Sequence, residues 1–182
     1  MSKLLLKILK SSVLPASLMV ASKLAGIAFA VAFYDLPLQL FHETGLFTVR
    51  LYMAEGTEAF IANSVASAIL LITMNVGAFA FFFKQNLYLK TQGNPRTVLK
   101  LSKLNILKWI TKDDGGFVGV FMWTVFLLAT NTIIISETIL SQITPPLGIL
   151  AFLSSILFIW GLIRTFELET ATIYPRNKEA LS

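Results

Sequence analysis

The chain contains no cysteine and a single histidine among its 182 residues. The absence of cysteine excludes disulfides, thiolate nucleophiles and iron–sulfur ligation, and it leaves the redox compartment undetermined. One histidine is too few for paired-histidine haem ligation within one chain. Charged residues are also scarce, at 14% of the chain, whereas 55% of the residues are hydrophobic. We expect neither a cofactor nor a metal site.

Long apolar stretches are what the chain does contain. Each is about twenty residues long, the number of helical residues that crosses a hydrocarbon core of roughly 30 Å at about 1.5 Å per residue. They predict an all-α integral membrane protein, a single domain over 1–182 with four transmembrane helices in an antiparallel bundle. No room remains for a separate soluble catalytic domain. The four predicted spans are Ser11–Tyr34, Ile61–Phe83, Phe117–Ile139 and Pro145–Ile163.

The first 34 residues contain four lysines and no acid, and superficially resemble a secretory signal. Their apolar run is too long for a usual signal core and is interrupted by Lys23, so we expect a retained first helix. Before this span, leucine and isoleucine alternate with Lys3, Lys7 and Lys10. That pattern predicts a short amphipathic helix on an anionic leaflet.

The positive charges are distributed unevenly along the chain. Three Lys or Arg precede the first span, seven lie between spans two and three, and three follow span four, which makes thirteen of the fifteen. Because Lys and Arg are retained on the cytoplasmic side, both termini, the basic loop 84–116 and the tail 165–182 are predicted to be cytoplasmic, in a membrane of bacterial type. These cations lie beside apolar spans, so we expect anionic lipid headgroups rather than nucleic acid as their partner.

The basic loop mixes apolar and positive residues after a break at Gly93-Asn94-Pro95. An interfacial helix and a partner-binding segment both fit this mixture. The cations that we expect to contact lipid or a partner protein are Lys100, Lys103, Lys108 and Lys112.

Lys23 lies near the middle of the first span. An ionised lysine there costs about 2.5–3.5 kcal/mol on insertion scales, so it should face the bundle, a partner or a water-filled cavity. It shares a helical face with small residues that would let another helix approach closely. That stripe is Ser12, Ala16, Met19, Lys23, Gly26 and Ala30. Lys23 is either an ion, proton or anionic-substrate site, or a structural lysine paired with asparagine or backbone carbonyls.

Two asparagines and one acid complete the polar candidates. Asn75 in span two and Asn131 in span three are predicted at similar depth, so a cluster with Lys23 is possible. Asparagine in a membrane helix more often forms a hydrogen bond to another helix, which contributes about 0.5–2 kcal/mol of stability. Glu137 is near the outer end of span three, where it can reach water. We expect several helical turns of depth to separate Glu137 from Lys23.

Enzyme signals are weak. Asp113-Asp114-Gly115-Gly116 could hold Mg²⁺ beside a lipid phosphate, but the further spaced acids of such enzymes are missing, so a cap at the start of a helix is the favoured interpretation. His42 has no cluster of metal ligands around it. The chain has no serine elbow and no phosphate-binding glycine loop.

These patterns favour a non-enzymatic multi-pass membrane protein, an accessory or scaffold subunit of a membrane complex or a homo-oligomer. Its partners would then be other membrane subunits or itself, together with the bilayer. The alternative is a small transporter or channel subunit with an intramembrane polar site at Lys23, Asn75 and Asn131. A lipid-modifying enzyme that uses Asp113 and Asp114 is a third, minor hypothesis.

Overall fold

Four long helices account for most of the molecule. The structure, a computed structural model, describes residues 2–36, 39–42, 49–52, 56–93, 98–99, 102–103 and 116–179. Its helices are α1 (Lys3–Tyr34), α2 (Gly56–Gly93), α3 (Phe117–Ile139) and α4 (Pro145–Glu179). Each is long and apolar enough to cross a membrane, which confirms the prediction of a multi-span helical protein.

One element was not predicted. Between α1 and α2, strand β1 (Gln39–His42) pairs with strand β2 (Val49–Tyr52) in a short antiparallel hairpin. The sequence predicted an all-α protein and no strand in the connection between the first two spans. Strands of four residues are too short to leave a clear alternating pattern in the sequence.

The helices extend beyond the predicted spans, except for α3, whose bounds coincide with the third span. The amphipathic segment at Lys3–Lys10 is continuous with the first span in α1, although Pro15 lies inside this helix and removes one backbone donor. Helix α4 runs through most of the predicted tail, to Glu179. The helix continues past Arg164, which pairs one turn later with Glu167 at 3.0 Å, and it includes Pro175 near its end.

Helices α2 and α3 occupy the centre, and α1 and α4 flank them. Helix α1 packs on α2 and α3, and α4 packs on α3 and α2. The main apolar cluster lies between α2, α3 and α4, and Gly77 leaves the space that the Trp123 ring occupies. The buried members of this cluster are Leu70, Met74, Ala78, Phe82, Val120, Trp123, Leu127 and Phe158.

Small residues let α1 and α2 approach closely. A Cβ atom added at Gly26 would lie 2.6 Å from the Cα atom of Ala66, closer than real Cβ contacts allow. Ala30 on α1 and Ala62 and Ala66 on α2 are also buried. The small-residue face predicted on the first span therefore lies against α2.

The helices do not end at the same level. The backbone N–H of Thr144, in the α3–α4 turn (residues 140–144), donates to Ser64 Oγ at 3.2 Å. At the other end of α3, Gly116 lies beside Gln85. The 21 residues from Ser64 to Gln85 rise about 32 Å, which matches the length of α3. Helix α2 begins eight residues before Ser64, at Gly56, so it continues about 12 Å past the α3–α4 turn.

Candidate functional site

A charged cluster joins α1, α2 and α3, with one side chain from each helix. The Lys23 ammonium lies 2.8 Å and 3.1 Å from the two carboxylate oxygens of Glu137. It also donates a hydrogen bond of 2.8 Å to Ser67 Oγ, and this hydroxyl donates to Glu137 Oε2 at 2.6 Å. Each side chain therefore contacts the other two, and we call the group the Lys–Ser–Glu cluster.

Lys23 and Glu137 are the only charged residues within the four predicted spans. Their side chains are 24% and 18% exposed, and Ser67 is fully buried. A single charge in apolar surroundings is expensive, whereas two opposite charges in direct contact leave no net charge and form short, strong hydrogen bonds. The pairing of Lys23 with Glu137 therefore leaves the interior of the spans with no net charge.

The local structure of α1 and α2 explains how the two helices supply their parts. Lys23 lies about one helical turn before Gly26, where α1 approaches α2 closely. Ser67 directly follows Ala66, the partner of Gly26 in that contact. The close approach brings the ammonium within hydrogen-bond distance of a short side chain such as serine.

The predicted depth separation between Lys23 and Glu137 was wrong. That prediction placed the outer ends of all spans at one level, so that Glu137, two residues from the end of α3, lay far above the middle of α1. In the structure the α3–α4 turn meets Ser64, well inside α2. Glu137 therefore lies at the level of Lys23 and Ser67.

The structure does not bring Lys23 together with either asparagine. The Asn75 amide donates to the carbonyl of Leu71, one turn earlier in its own helix, at 2.7 Å. The Asn131 amide donates to the hydroxyls of Ser154 and Ser155 on α4, at 2.7 Å and 2.9 Å. The Asn75 amide thus bonds within its own helix, whereas the Asn131 amide links α3 to α4.

Sequence reasoning missed Ser67. It read the serines of span two only as small residues, yet a buried hydroxyl beside a lysine can accept one hydrogen bond and donate another. The available signal was the spacing of the small residues. Matching Gly26 with Ala66 places the neighbouring hydroxyl close to Lys23.

The cluster contains a serine and a lysine in contact, an arrangement that can serve as nucleophile and base in hydrolysis. Here the Ser67 hydroxyl donates to Glu137, and Lys23 Nζ donates to both carboxylate oxygens. An ammonium has no lone pair to accept a proton, and the fully buried Ser67 hydroxyl is closed to a substrate. The geometry suits the joining of helices rather than nucleophilic catalysis.

The structure describes part of the basic loop 84–116. Lys103 is exposed to solvent. Lys100, Lys108 and Lys112 lie outside the described residues, as do Asp113 and Asp114 of the minor enzyme hypothesis. Among the side chains that the structure describes, no group of three or more His, Cys, Asp or Glu could hold a metal ion.

No family model matches the chain, and no curated protein and no solved structure is significantly similar to it.

Proposed function

We propose that this chain is a multi-pass integral membrane protein without enzymatic activity, acting as a scaffold or accessory subunit in a membrane assembly with other subunits or with copies of itself. Its four helices form an antiparallel bundle in a cytoplasmic membrane of bacterial type. Both termini and the basic loop 84–116 face the cytoplasm, where the cations contact anionic headgroups.

The Lys–Ser–Glu cluster carries this proposal. The two charges of the spans neutralise each other, and their hydrogen bonds link three helices at one level. A substrate site needs hydrogen-bonding or charged groups that are available to the substrate. In a structural link, these groups bond to each other instead. The second link, Asn131 with Ser154 and Ser155, then attaches α4 to the same unit.

The flanking helices supply the surfaces for assembly. In their most apolar windows, 17% of the α1 residues and 17% of the α4 residues are buried, compared with 39% for α2 and 44% for α3. The outward faces of α1 and α4 are accordingly apolar and large. Either lipid or the helices of a partner can cover them.

Tryptophan substitution distinguishes lipid from a partner, because fluid acyl chains accommodate a larger side chain and a packed helix does not. Val20→Trp on α1 and Leu157→Trp on α4 enlarge residues that are each 60% exposed. Native mass measurement after extraction in a mild detergent should find a stoichiometric partner or oligomer for the wild type, weakened or lost in these variants.

Val76→Trp is the matched control, since Val76 on α2 is 63% exposed. It should leave the assembly intact. A wild-type chain that extracts as a monomer alone, or an assembly that is insensitive to both flanking substitutions, would contradict the proposal.

A transporter or channel subunit is the second candidate, and the partial exposure of Lys23 and Glu137 favours it. In this hypothesis the polar site consists of the Lys–Ser–Glu cluster, and the oligomer supplies the rest of the pathway. Reconstituted vesicles should then show a flux that the double variant Lys23→Met/Glu137→Gln abolishes. Equal flux through the wild type and the folded double variant excludes this function.

A further inference from the structure

Four of the five backbone N–H groups of the α3–α4 turn bond within the protein. A helix end normally leaves four N–H or four C=O groups without partners, and turns at an aqueous surface leave many of them to water. Here four backbone N–H groups in the turn are bonded within the protein, and a fifth follows at the start of α4. The donor–acceptor pairs are Leu140–Ser136, Ser141–Thr138, Gln142–Glu137 and Leu147–Thr144 along the backbone, and Thr144 with Ser64 Oγ.

The two prolines at the start of α4 complete this pattern. The first residues of a helix carry N–H groups that the helix cannot satisfy. Pro145 and Pro146 have no N–H, so the sequence removes two of these donors instead of leaving them to water. Backbone at membrane depth must be satisfied inside the protein, and four of the five N–H groups of this turn meet that requirement.

The apolar side chains beside the turn are also suited to lipid, although the turn itself exposes the polar Ser141 and Gln142. Ile139 and Leu140 are 76% and 66% exposed. No charged residue occurs between Glu137 and Arg164. An open, apolar groove of about 350 Å³ continues from the turn between α3 and α4, lined by Ile135, Thr138, Ile139, Gly148, Ile149 and Phe152 among others.

The α3–α4 turn lies below the ends of the neighbouring helices. Helix α2 continues about 12 Å beyond Ser64, and Glu58 lies in this extension. Helix α1 likewise continues for eleven residues past Lys23, to Tyr34, and Asp35 follows it. A charged or aromatic residue at each of these helix ends is typical of the membrane–water interface.

We propose that the α3–α4 turn is inserted in the outer leaflet, with Ile139 and Leu140 in contact with lipid, about two helical turns below the outer ends of α1 and α2. The partner of this surface is the acyl-chain region of outer-leaflet lipids. This inference rests on the membrane insertion proposed above and adds a depth to it.

The absence of cysteine from the 182 residues makes the test direct, because a single introduced cysteine is the only thiol in this chain. Leu140→Cys and Gln142→Cys probe the turn. Thr57→Cys, at an exposed residue near the start of α2, reports the outer surface, and Lys103→Cys reports the cytoplasmic side. Sealed, right-side-out vesicles are treated with a membrane-impermeant maleimide, before and after dissolution in SDS.

The expected result is rapid labelling of Thr57→Cys and at least tenfold slower labelling of both turn variants, which become fully reactive in SDS. Lys103→Cys should react only after the vesicles are opened. If the turn variants react as fast as Thr57→Cys, the turn lies at the aqueous surface and the inference fails. If Lys103→Cys reacts in sealed vesicles and Thr57→Cys does not, the topology fails instead.

A second measurement separates protection by lipid from protection by protein. A fluorescent maleimide is attached to Leu140→Cys and the protein is reconstituted with lipids brominated on their acyl chains. Strong quenching, at least threefold greater than at Thr57→Cys, is the expected outcome. A protected but unquenched label would overturn the inference, since protein rather than lipid would then cover the turn.

Discussion

Removing one member of the Lys–Ser–Glu cluster should harm the protein more than removing both charges. Lys23→Met deletes the ammonium that contacts both Glu137 oxygens and leaves the carboxylate with Ser67 as its hydrogen-bond donor. Glu137→Gln leaves the ammonium without a counter-charge. Lys23→Met/Glu137→Gln leaves no charge, and the Gln side chain can still accept from the Ser67 hydroxyl.

The structure sets the size of these effects. Breaking a fully buried ion pair costs about 3–5 kcal/mol, and replacing the whole pair is often neutral or stabilising. The residual exposure of Lys23 and Glu137, about a fifth of each side chain, reduces the first figure.

We therefore expect a loss of about 2–4 kcal/mol in the free energy of unfolding for each single variant. The double variant should lie within about 1 kcal/mol of the wild type, which gives a coupling energy of at least about 3 kcal/mol. Reversible unfolding in mixed micelles, titrated with SDS and followed by circular dichroism, measures all four proteins.

Arg164→Met is the internal control. Arg164 and Glu167 form an ion pair of 3.0 Å, but their side chains are 61% and 56% exposed. Exposed pairs contribute about 0–1 kcal/mol, so this variant should be nearly silent. The reasoning is refuted if Lys23→Met is as mild as the control, or if the double variant loses the sum of the two single effects.

Two further substitutions test helix contacts. Gly26→Ala places a Cβ 2.6 Å from the backbone of Ala66 and should cost about 1–3 kcal/mol of unfolding free energy in the same SDS titration. Gly56→Ala, with no atom near the new Cβ, should be neutral. Equal effects of the two substitutions would contradict the close contact. Asn131→Leu removes the link to α4 and should cost about 0.5–2 kcal/mol, compared with almost nothing for Asn75→Leu, whose amide bonds only within α2. Reversal of that order would show that the α3–α4 link is not stabilising.

The direction in which Lys23 points could be predicted from the sequence, because a period of three and four residues places it on the small-residue face of α1. Its partner could not be predicted. Hydropathy gives each helix a length but no level relative to its neighbours, and the contact between Ser64 and Thr144 that sets the level of Glu137 joins residues 80 positions apart.

Competition within a helix explains why the predicted asparagine cluster does not form. The Asn75 amide reaches the Leu71 carbonyl in its own helix, a local bond that needs no partner helix. Sequence position indicates depth for such a residue but not whether its side chain bonds locally or across the bundle. The extent of α4 past Arg164 was underestimated for a related reason, since the apolar signal ends where the membrane span ends and a helix does not have to.

The separation of Lys23 and Glu137 along the chain has a consequence for synthesis. They are 114 residues apart. At about 5–20 residues per second, Glu137 is made roughly 6–23 s after Lys23. In the membrane arrangement proposed above, the first helix carries Lys23 without its carboxylate partner during that interval, and an insertion channel or the membrane surface would keep this charge hydrated. Release of α1 into lipid before α3 is made would strand the charge, and the order of assembly is therefore part of what the pair requires.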